Sequence, residues 1–243
     1  MFVHLHTHTE YSLLDGMSKI KDLIATAKKD GQTALAITDH GVMYGALEFY
    51  LEAKKQNINP IIGMEAYVAH TTRHNKLASE RSPYHLTLLA KNNAGYANLL
   101  SISSKAHLEG FYYKPRIDRE ILEEHSEGII VLSGCPSGEL MRSLLDGDIE
   151  NATETIQWYK SVFKSNYYIE IQEHGQDKFS RITPDLIKIA KKNNIELVAT
   201  NDSHYTHKDQ HDFHDLLLCI GTNTTIDDPK RFKLEGDTFY LKS

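Results

Sequence analysis

Short apolar runs alternate with amphipathic segments along the whole chain. In one segment, apolar residues recur at i, i+3, i+4 and i+7 from Ile20, which predicts a helix that begins at a Ser18 cap and stops at Gly31. Further helices are predicted over residues 46–56, 92–102, 138–145, 149–163, 178–193 and 211–219. Strands are predicted over residues 2–6, 34–38, 61–68, 86–90, 129–132, 167–171 and 197–200.

The order of these elements indicates an α/β fold. About seven strand–helix units follow one another without a linker, an internal repeat or a low-complexity break, and such alternation favours a parallel sheet. At 243 residues the sheet can close into a (β/α) barrel, and a doubly wound open sheet is the alternative. The polar stretch 70–83 is predicted to be a mobile loop without chemistry.

Composition and charge narrow the class of protein. The net charge of −6 argues against a broad basic face that binds nucleic acid by itself. No apolar run is long enough for a membrane span, and no signal peptide is evident, so no membrane is expected as a partner. Two cysteines cannot form a disulfide framework, which favours a reducing cytoplasm. Fourteen histidines, many beside acidic residues, suggest metal binding.

Several histidines, carboxylates and one thiol follow predicted strand ends. His6 and His8 share one face of the first strand, because side chains alternate along a strand. In parallel barrels, functional groups gather at the carboxyl ends of strands. The groups placed there are His6, His8, Asp15, Asp39, His40, Glu65, Cys135, Asp202 and His204. His85 instead begins its predicted strand, so either that strand is misplaced or its geometry is unusual.

These residue types together suit Zn²⁺, or else Mn²⁺ or Fe. Nine such groups are too many for one tetrahedral site, which implies several ions that share bridging carboxylates. Glu65 lies in an otherwise apolar strand and is costly to bury without a cation. Asp39 either orients an imidazole or caps a helix. Clustered ions of this kind are used in phosphoester hydrolysis, where they activate a water and neutralise charge on the phosphate.

Seven stretches of the chain carry a family resemblance. They are HLHTHTEYSLLDG (4–16), ALAITDHG (34–41), PIIGMEAYV (60–68), YHLTLLAKN (84–92), YYKPRID (112–118), IVLSGC (130–135) and VATNDSHY (198–205). Together they resemble the PHP (polymerase and histidinol phosphatase) domain. The order and the residues of these stretches are similar to those of the family branch found at the N terminus of bacterial DNA polymerase III α subunits. The resemblance covers nearly the whole chain.

The resemblance implies a distorted (β/α)7 TIM-like barrel of the PHP type over residues 1–221, with 222–243 leading toward a polymerase region. It implies a trinuclear metal centre in which Glu65 bridges two ions. The implied metal ligands are His6, His8, Asp15, His40, Glu65, His85, Cys135, Asp202 and His204. Asp202, His204 and His8 are the candidate catalytic residues.

The implied activity is a metal-dependent 3′–5′ exonuclease that proofreads during DNA replication. The implied partners are a single-stranded DNA 3′ end, the rest of the polymerase α subunit and the other replicase subunits. Two alternatives stay open: a free-standing phosphomonoesterase similar to histidinol phosphatase, and a catalytically silent module that braces the polymerase.

Two further patterns lie outside the ligand set. Lys114 and Arg116, beside aromatic residues of the segment 111–118, are candidates for holding a substrate phosphate, or the segment packs on a neighbouring domain. His207, His211 and His214 recur at i, i+4 and i+7 of a predicted helix. That spacing allows a second metal site, although a solvated helix face is the favoured interpretation.

Overall fold

Strand β2, Asn59–Val68, organises the sheet because three other strands pair with different parts of it. In the computed structural model, which describes residues 2–243, β1 (Ala34–Ile37) lies parallel to the first part of β2. The strand β3 (Tyr84–Ala90) lies antiparallel to its second part, where apolar residues alternate toward the core. The strand β5 (Lys114–Ile117) runs parallel to its last two residues.

The sheet continues from β3 through β6 (Ile129–Leu132), β7 (Tyr167–Ile171) and β8 (Leu197–Ala199). The strand β6 is antiparallel to β3, whereas β7 and β8 follow in parallel. A short β4 (Phe111–Tyr112) forms an antiparallel hairpin with β5. The α/β class is therefore confirmed, but the expectation of a parallel sheet is wrong at β3 and at this hairpin.

The N-terminal segment 4–8 lies between β1 and the chain that follows β8. The amides of Ala36 and Thr38 donate to carbonyls of this segment, both at 2.9 Å. On the other side, the His8 amide donates to the Ser203 carbonyl at 2.8 Å. Residues 2–6, predicted as a strand, thus form no regular strand, and the isolated bridges of this segment lie at Thr7 and Thr9. The segment brings the two sides of the curled sheet together.

The helices pack around this sheet. They are α1 (Ile20–Lys29), α2 (Ala46–Lys55), α3 (Asn93–Leu108), α4 (Arg119–Glu124), α5 (Glu139–Leu145), α6 (Ile149–Phe163), α7 (Asp177–Asn193) and α8 (His211–Thr222). Gly31, at φ +74°, follows the end of α1 as predicted. The predicted Ser18 cap is wrong, because Lys19 occupies the N-cap and no side chain caps the helix.

Over residues 2–243, no helix has the length and apolar character to cross a membrane.

The segment after α8 folds back onto the sheet. Phe239 and Leu241 are buried, and Tyr240 bridges Tyr205. Leu241 belongs to the apolar cluster formed around α1, α2 and β1. The larger apolar cluster lies under α3, α5, α6 and α7. A domain boundary at residue 221 stays a prediction.

The predicted loop 70–83 contains a short 3₁₀ helix, Ala78–Arg81, and follows a fixed path. Arg73 is buried within it and donates hydrogen bonds to Asp118 at 3.0 Å. Glu80, also buried, accepts a hydrogen bond of 2.9 Å from the His70 amide. A segment expected to be mobile is therefore tied to the body of the protein through Arg73, and the Glu80 contact joins its two ends.

Candidate metal centre

The nine residues predicted as metal ligands all lie in one cluster, and Glu65 stands at its middle. Its Oε1 lies 3.1 Å from Nδ1 of His85, 3.2 Å from Nε2 of His6 and 3.6 Å from the Cys135 thiol. Its Oε2 lies 2.6 Å from Nδ1 of His40. The two oxygens of this buried carboxylate thus face different donors, with His6, His85 and Cys135 near Oε1 and His40 near Oε2.

The direction of β3 explains the position of His85. Because β3 runs antiparallel to β2, its first residues lie at the end of the sheet where the parallel strands finish. His85 pairs in register with Tyr67, and the ring centroids of the two lie 5.1 Å apart. The predicted strand was nearly right, and the unusual feature is its direction.

A second group of donors surrounds Asp202, which follows β8. Its Oδ1 lies 3.1 Å from Nε2 of His8 and 3.3 Å from Nε2 of His6. The His204 ring packs 4.4 Å from the ring of His8. Asp202 has φ +46°, a left-handed conformation that aspartate tolerates better than most residues. This turn directs its carboxylate and the His204 ring toward one centre.

Asp15 completes the cluster from the loop after the first segment. Its Oδ2 lies 2.9 Å from Nε2 of His40. The backbone carbonyl of Asp15 also contacts Nε2 of His214 at 2.7 Å, and His214 is buried on α8. His207 lies before α8 and pairs with Asp22 instead, so His207, His211 and His214 do not converge on a second metal site.

The donor atoms fit divalent cations. Six potential metal-donor atoms of the cluster are buried and lack a hydrogen-bond partner of acceptable geometry among residues 2–243. They are His6 Nε2, His8 Nε2, Asp15 Oδ1, His40 Nδ1, Glu65 Oε2 and Asp202 Oδ1. Two ligands bound about 2.0–2.2 Å from one ion lie roughly 3 Å apart, close to several contacts above. Three overlapping groups have their donor atoms within 4.8 Å of one another: His6–His8–Asp202, His40–Glu65–His85 and His8–His40–His204.

The charges in this cluster are strongly coupled. Burial favours a neutral His6, but Asp202, Glu170 and Glu65 outweigh it and raise the pKa of His6 well above its usual value. Burial lowers the pKa of His8 to about 3, helped by the neighbouring imidazoles. Without a cation, the carboxylates therefore retain protons on some imidazoles, and bound metal ions would replace that positive charge.

Three residues that support the cluster were either missed or left undecided by sequence reasoning. Asp39 accepts hydrogen bonds from the Thr9 amide at 2.6 Å and from the Ser12 hydroxyl at 2.7 Å. Ser12 lies 3.0 Å from Nδ1 of His8, so Asp39 orients an imidazole through a hydroxyl and does not cap a helix. Glu170, the third residue, contacts His6 from an apolar strand, the same signal that identified Glu65.

The two predicted phosphate contacts differ in accessibility. Arg116 is fully buried, and its guanidinium donates to the carbonyls of Gly110, Asn75 and Arg73. It has no donor left facing solvent, so its prediction as a phosphate contact is wrong. Lys114 is exposed, and its Nζ lies 5.2 Å above the ring of Tyr67 beside the cluster.

Comparisons with known proteins place these observations in a family. Residues 4–174 match the model of the PHP domain. The chain is 46% identical to the DNA polymerase III subunit alpha of Borreliella burgdorferi and 49% identical to that of Treponema pallidum. Both matches cover 100% of this chain but 21% of the relative, so the chain spans about a fifth of the length of these relatives.

Solved structures share the fold at low sequence identity. One is a two-domain protein from Bacteroides vulgatus containing a predicted PHP-like metal-dependent phosphoesterase, with a TM-score of 0.54 and 17% identity over 87% of this chain and 54% of that chain. Another is an amidohydrolase from Chromobacterium violaceum, with a TM-score of 0.52 and 16% identity over 86% of this chain and 89% of that chain.

Proposed function

The chain belongs to the PHP domain family, and from this we propose that it is a metal-dependent phosphoesterase domain that removes nucleotides from a single-stranded DNA 3′ end. The observation that carries the proposal is the meeting of eight donor side chains, drawn from positions 6 to 204, around a ninth, the buried carboxylate of Glu65. The identity to DNA polymerase III α subunits over the whole chain supports the choice of DNA as substrate and proofreading as the role.

The donor set favours three ions, with Zn²⁺ preferred and Mn²⁺ or Fe as alternatives. Glu65 would bridge two of them, one also held by His6, His8 and Asp202, the other by His85 and Cys135. The third would be held by Asp15, His40 and His204. Burial and nearby Glu65 raise the pKa of the Cys135 thiol, so its thiolate depends on a bound cation.

When bound, the metal ions supply a water activated for attack and positive charge against the phosphate. The protein's own residues orient these ions and exclude bulk water, since the three proposed catalytic residues Asp202, His204 and His8 are buried or nearly so. No side chain in the cluster is an obvious general base. A catalytic role for Asp202, His204 and His8 is part of the proposal.

The exposed hairpin β4–β5 would guide the DNA strand into the cluster. Lys114 is the exposed cation of this hairpin, and Tyr113 is exposed beside it with the Arg81 guanidinium 5.0 Å from its ring. A lysine for phosphate and exposed aromatic rings for bases form the pattern that proteins use on single strands.

The wider context is also proposed. The curled sheet would be the distorted seven-unit barrel of the PHP type, and residues 222–243 would lead toward a polymerase region. In the cytoplasm, that region and the other replicase subunits would be its partners.

The decisive assay compares a 3′-labelled single-stranded oligonucleotide with a phosphomonoester, using metal-loaded protein. We expect release of 3′ nucleotides that stops with a chelator and with Asp202→Asn, and little monoester hydrolysis. Preferential monoester hydrolysis would favour the free-standing phosphatase. A bracing module is favoured if chelation lowers the melting temperature and neither substrate is cleaved, since the cluster joins distant parts of the chain.

A further inference from the structure

Glu170 is a buried carboxylate on β7 that lies directly behind the metal cluster. Its Oε1 accepts from Nδ1 of His6 at 2.7 Å and from the Gln172 amide at 3.0 Å. The hydroxyls of Thr87, at 3.3 Å, and Thr200 also donate to this carboxylate. Four donors therefore fix its position, one from the N-terminal segment, one from β3 and two from the residues that directly follow β7 and β8.

We propose that Glu170 is a positioning residue that fixes the ring and tautomer of His6 for metal binding. A carboxylate with these donors acts only as an acceptor, so the proton of a neutral His6 lies on Nδ1. The Nε2 lone pair then points toward Glu65 and Asp202, at 3.2 and 3.3 Å. A carboxylate behind a metal-binding imidazole raises its basicity as well as orienting it.

The charge of Glu170 has no other evident counterpart. Among the ion pairs of residues 2–243, it takes part only in the pair with His6. A fully buried carboxylate without an arginine or lysine partner is costly unless a cation lies nearby. The cation would lie on the far side of the His6 ring, so the inference rests on the proposed metal centre.

The test measures metal affinity and stability, not activity. Chelator-stripped wild type, Glu170→Gln and the control Glu173→Gln, an exposed neighbour, are titrated with Zn²⁺ alone and melted with and without it. We expect Glu170→Gln to bind Zn²⁺ about 10–100-fold more weakly. The control should match wild type.

Two results would overturn the inference. One is wild-type Zn²⁺ affinity in Glu170→Gln together with a lower metal-free melting temperature, which would indicate a structural role alone. The other is a proton on Nε2 of neutral His6, which would contradict the proposed tautomer. ¹⁵N imidazole spectra of metal-free wild type, recorded above the titration of His6, measure this without a variant, and we expect the proton on Nδ1. By contrast, wild type that binds no Zn²⁺ at all contradicts the proposed metal centre itself.

Discussion

His85 reaches diagonally across an antiparallel strand pair to place its Nδ1 3.1 Å from Oε1 of Glu65. The register partner of His85 is Tyr67, and that of Glu65 is Thr87, so the contact joins residues two positions apart on one face. The proposed metal centre therefore depends on a strand that runs antiparallel to its neighbours. A parallel strand with the same sequence would carry His85 to the opposite end of the sheet.

Replacing Glu65 should disable the cluster more than replacing any ligand at its edge. Glu65→Gln keeps the volume but removes the charge that faces His6, His40 and His85. We expect loss of more than one bound ion per chain and a fall in nucleotide release of about 10²–10³-fold, as for other preorganised electrostatic contacts. Elemental analysis and the oligonucleotide assay measure the two effects. Full metal content in the variant would contradict a bridging role.

Much of the site was predictable because its ligands follow strands whose apolar pattern is clear. Apolar and polar residues alternate in the same way in a parallel and in an antiparallel strand, so the pattern does not show strand direction. His85 was therefore predicted at the end of the sheet opposite to the other ligands. The antiparallel direction of β3 is set by its pairing with β2 and β6, and these pairings join distant parts of the chain.

The error at Arg116 has a similar origin. Lys114 and Arg116 are two residues apart on β5 and share a face, yet one is exposed and the other buried. The difference comes from the segment 70–83, whose carbonyls at Arg73 and Asn75 cover the Arg116 guanidinium. A polar stretch without periodicity does not reveal that it will pack over a neighbour.

Lys114 should contribute to strand binding through charge. Lys114→Ala is expected to weaken binding of a short oligothymidine to metal-free protein and to reduce the salt dependence of log K by about 0.7, the value for one single-strand phosphate contact. Fluorescence anisotropy at several salt concentrations measures both. Lys178→Ala is the matched control, because Lys178 also lies over an aromatic ring, that of Phe179. An equal loss in both variants would indicate nonspecific charge and contradict a strand site at the hairpin.

Arg73 should stabilise the protein far more than a surface cation does. Arg73→Ala leaves the buried Asp118 without its ion pair, and such losses cost about 3–5 kcal/mol in the free energy of unfolding. The exposed pair of Lys105 and Glu124 provides the control, since Lys105→Ala should cost at most about 1 kcal/mol. Urea denaturation measures both variants. Similar losses would show that the 70–83 segment does not depend on its buried ion pair.

His174 should make stability fall in mild acid. Burial lowers its pKa to about 4, and its ring stacks on Phe239 at 3.9 Å. Because the unfolded chain takes up this proton near pH 6.5 and the folded protein only near pH 4, the stability is complete above pH 6.5 and is lost as the pH falls between the two. The loss approaches about 3 kcal/mol. His174→Gln should flatten this dependence in urea denaturation, whereas His74→Gln, at an exposed position, should not. Parallel pH curves for wild type and His174→Gln would mean that the acid sensitivity arises elsewhere, and the metal ligands would then be its next candidates.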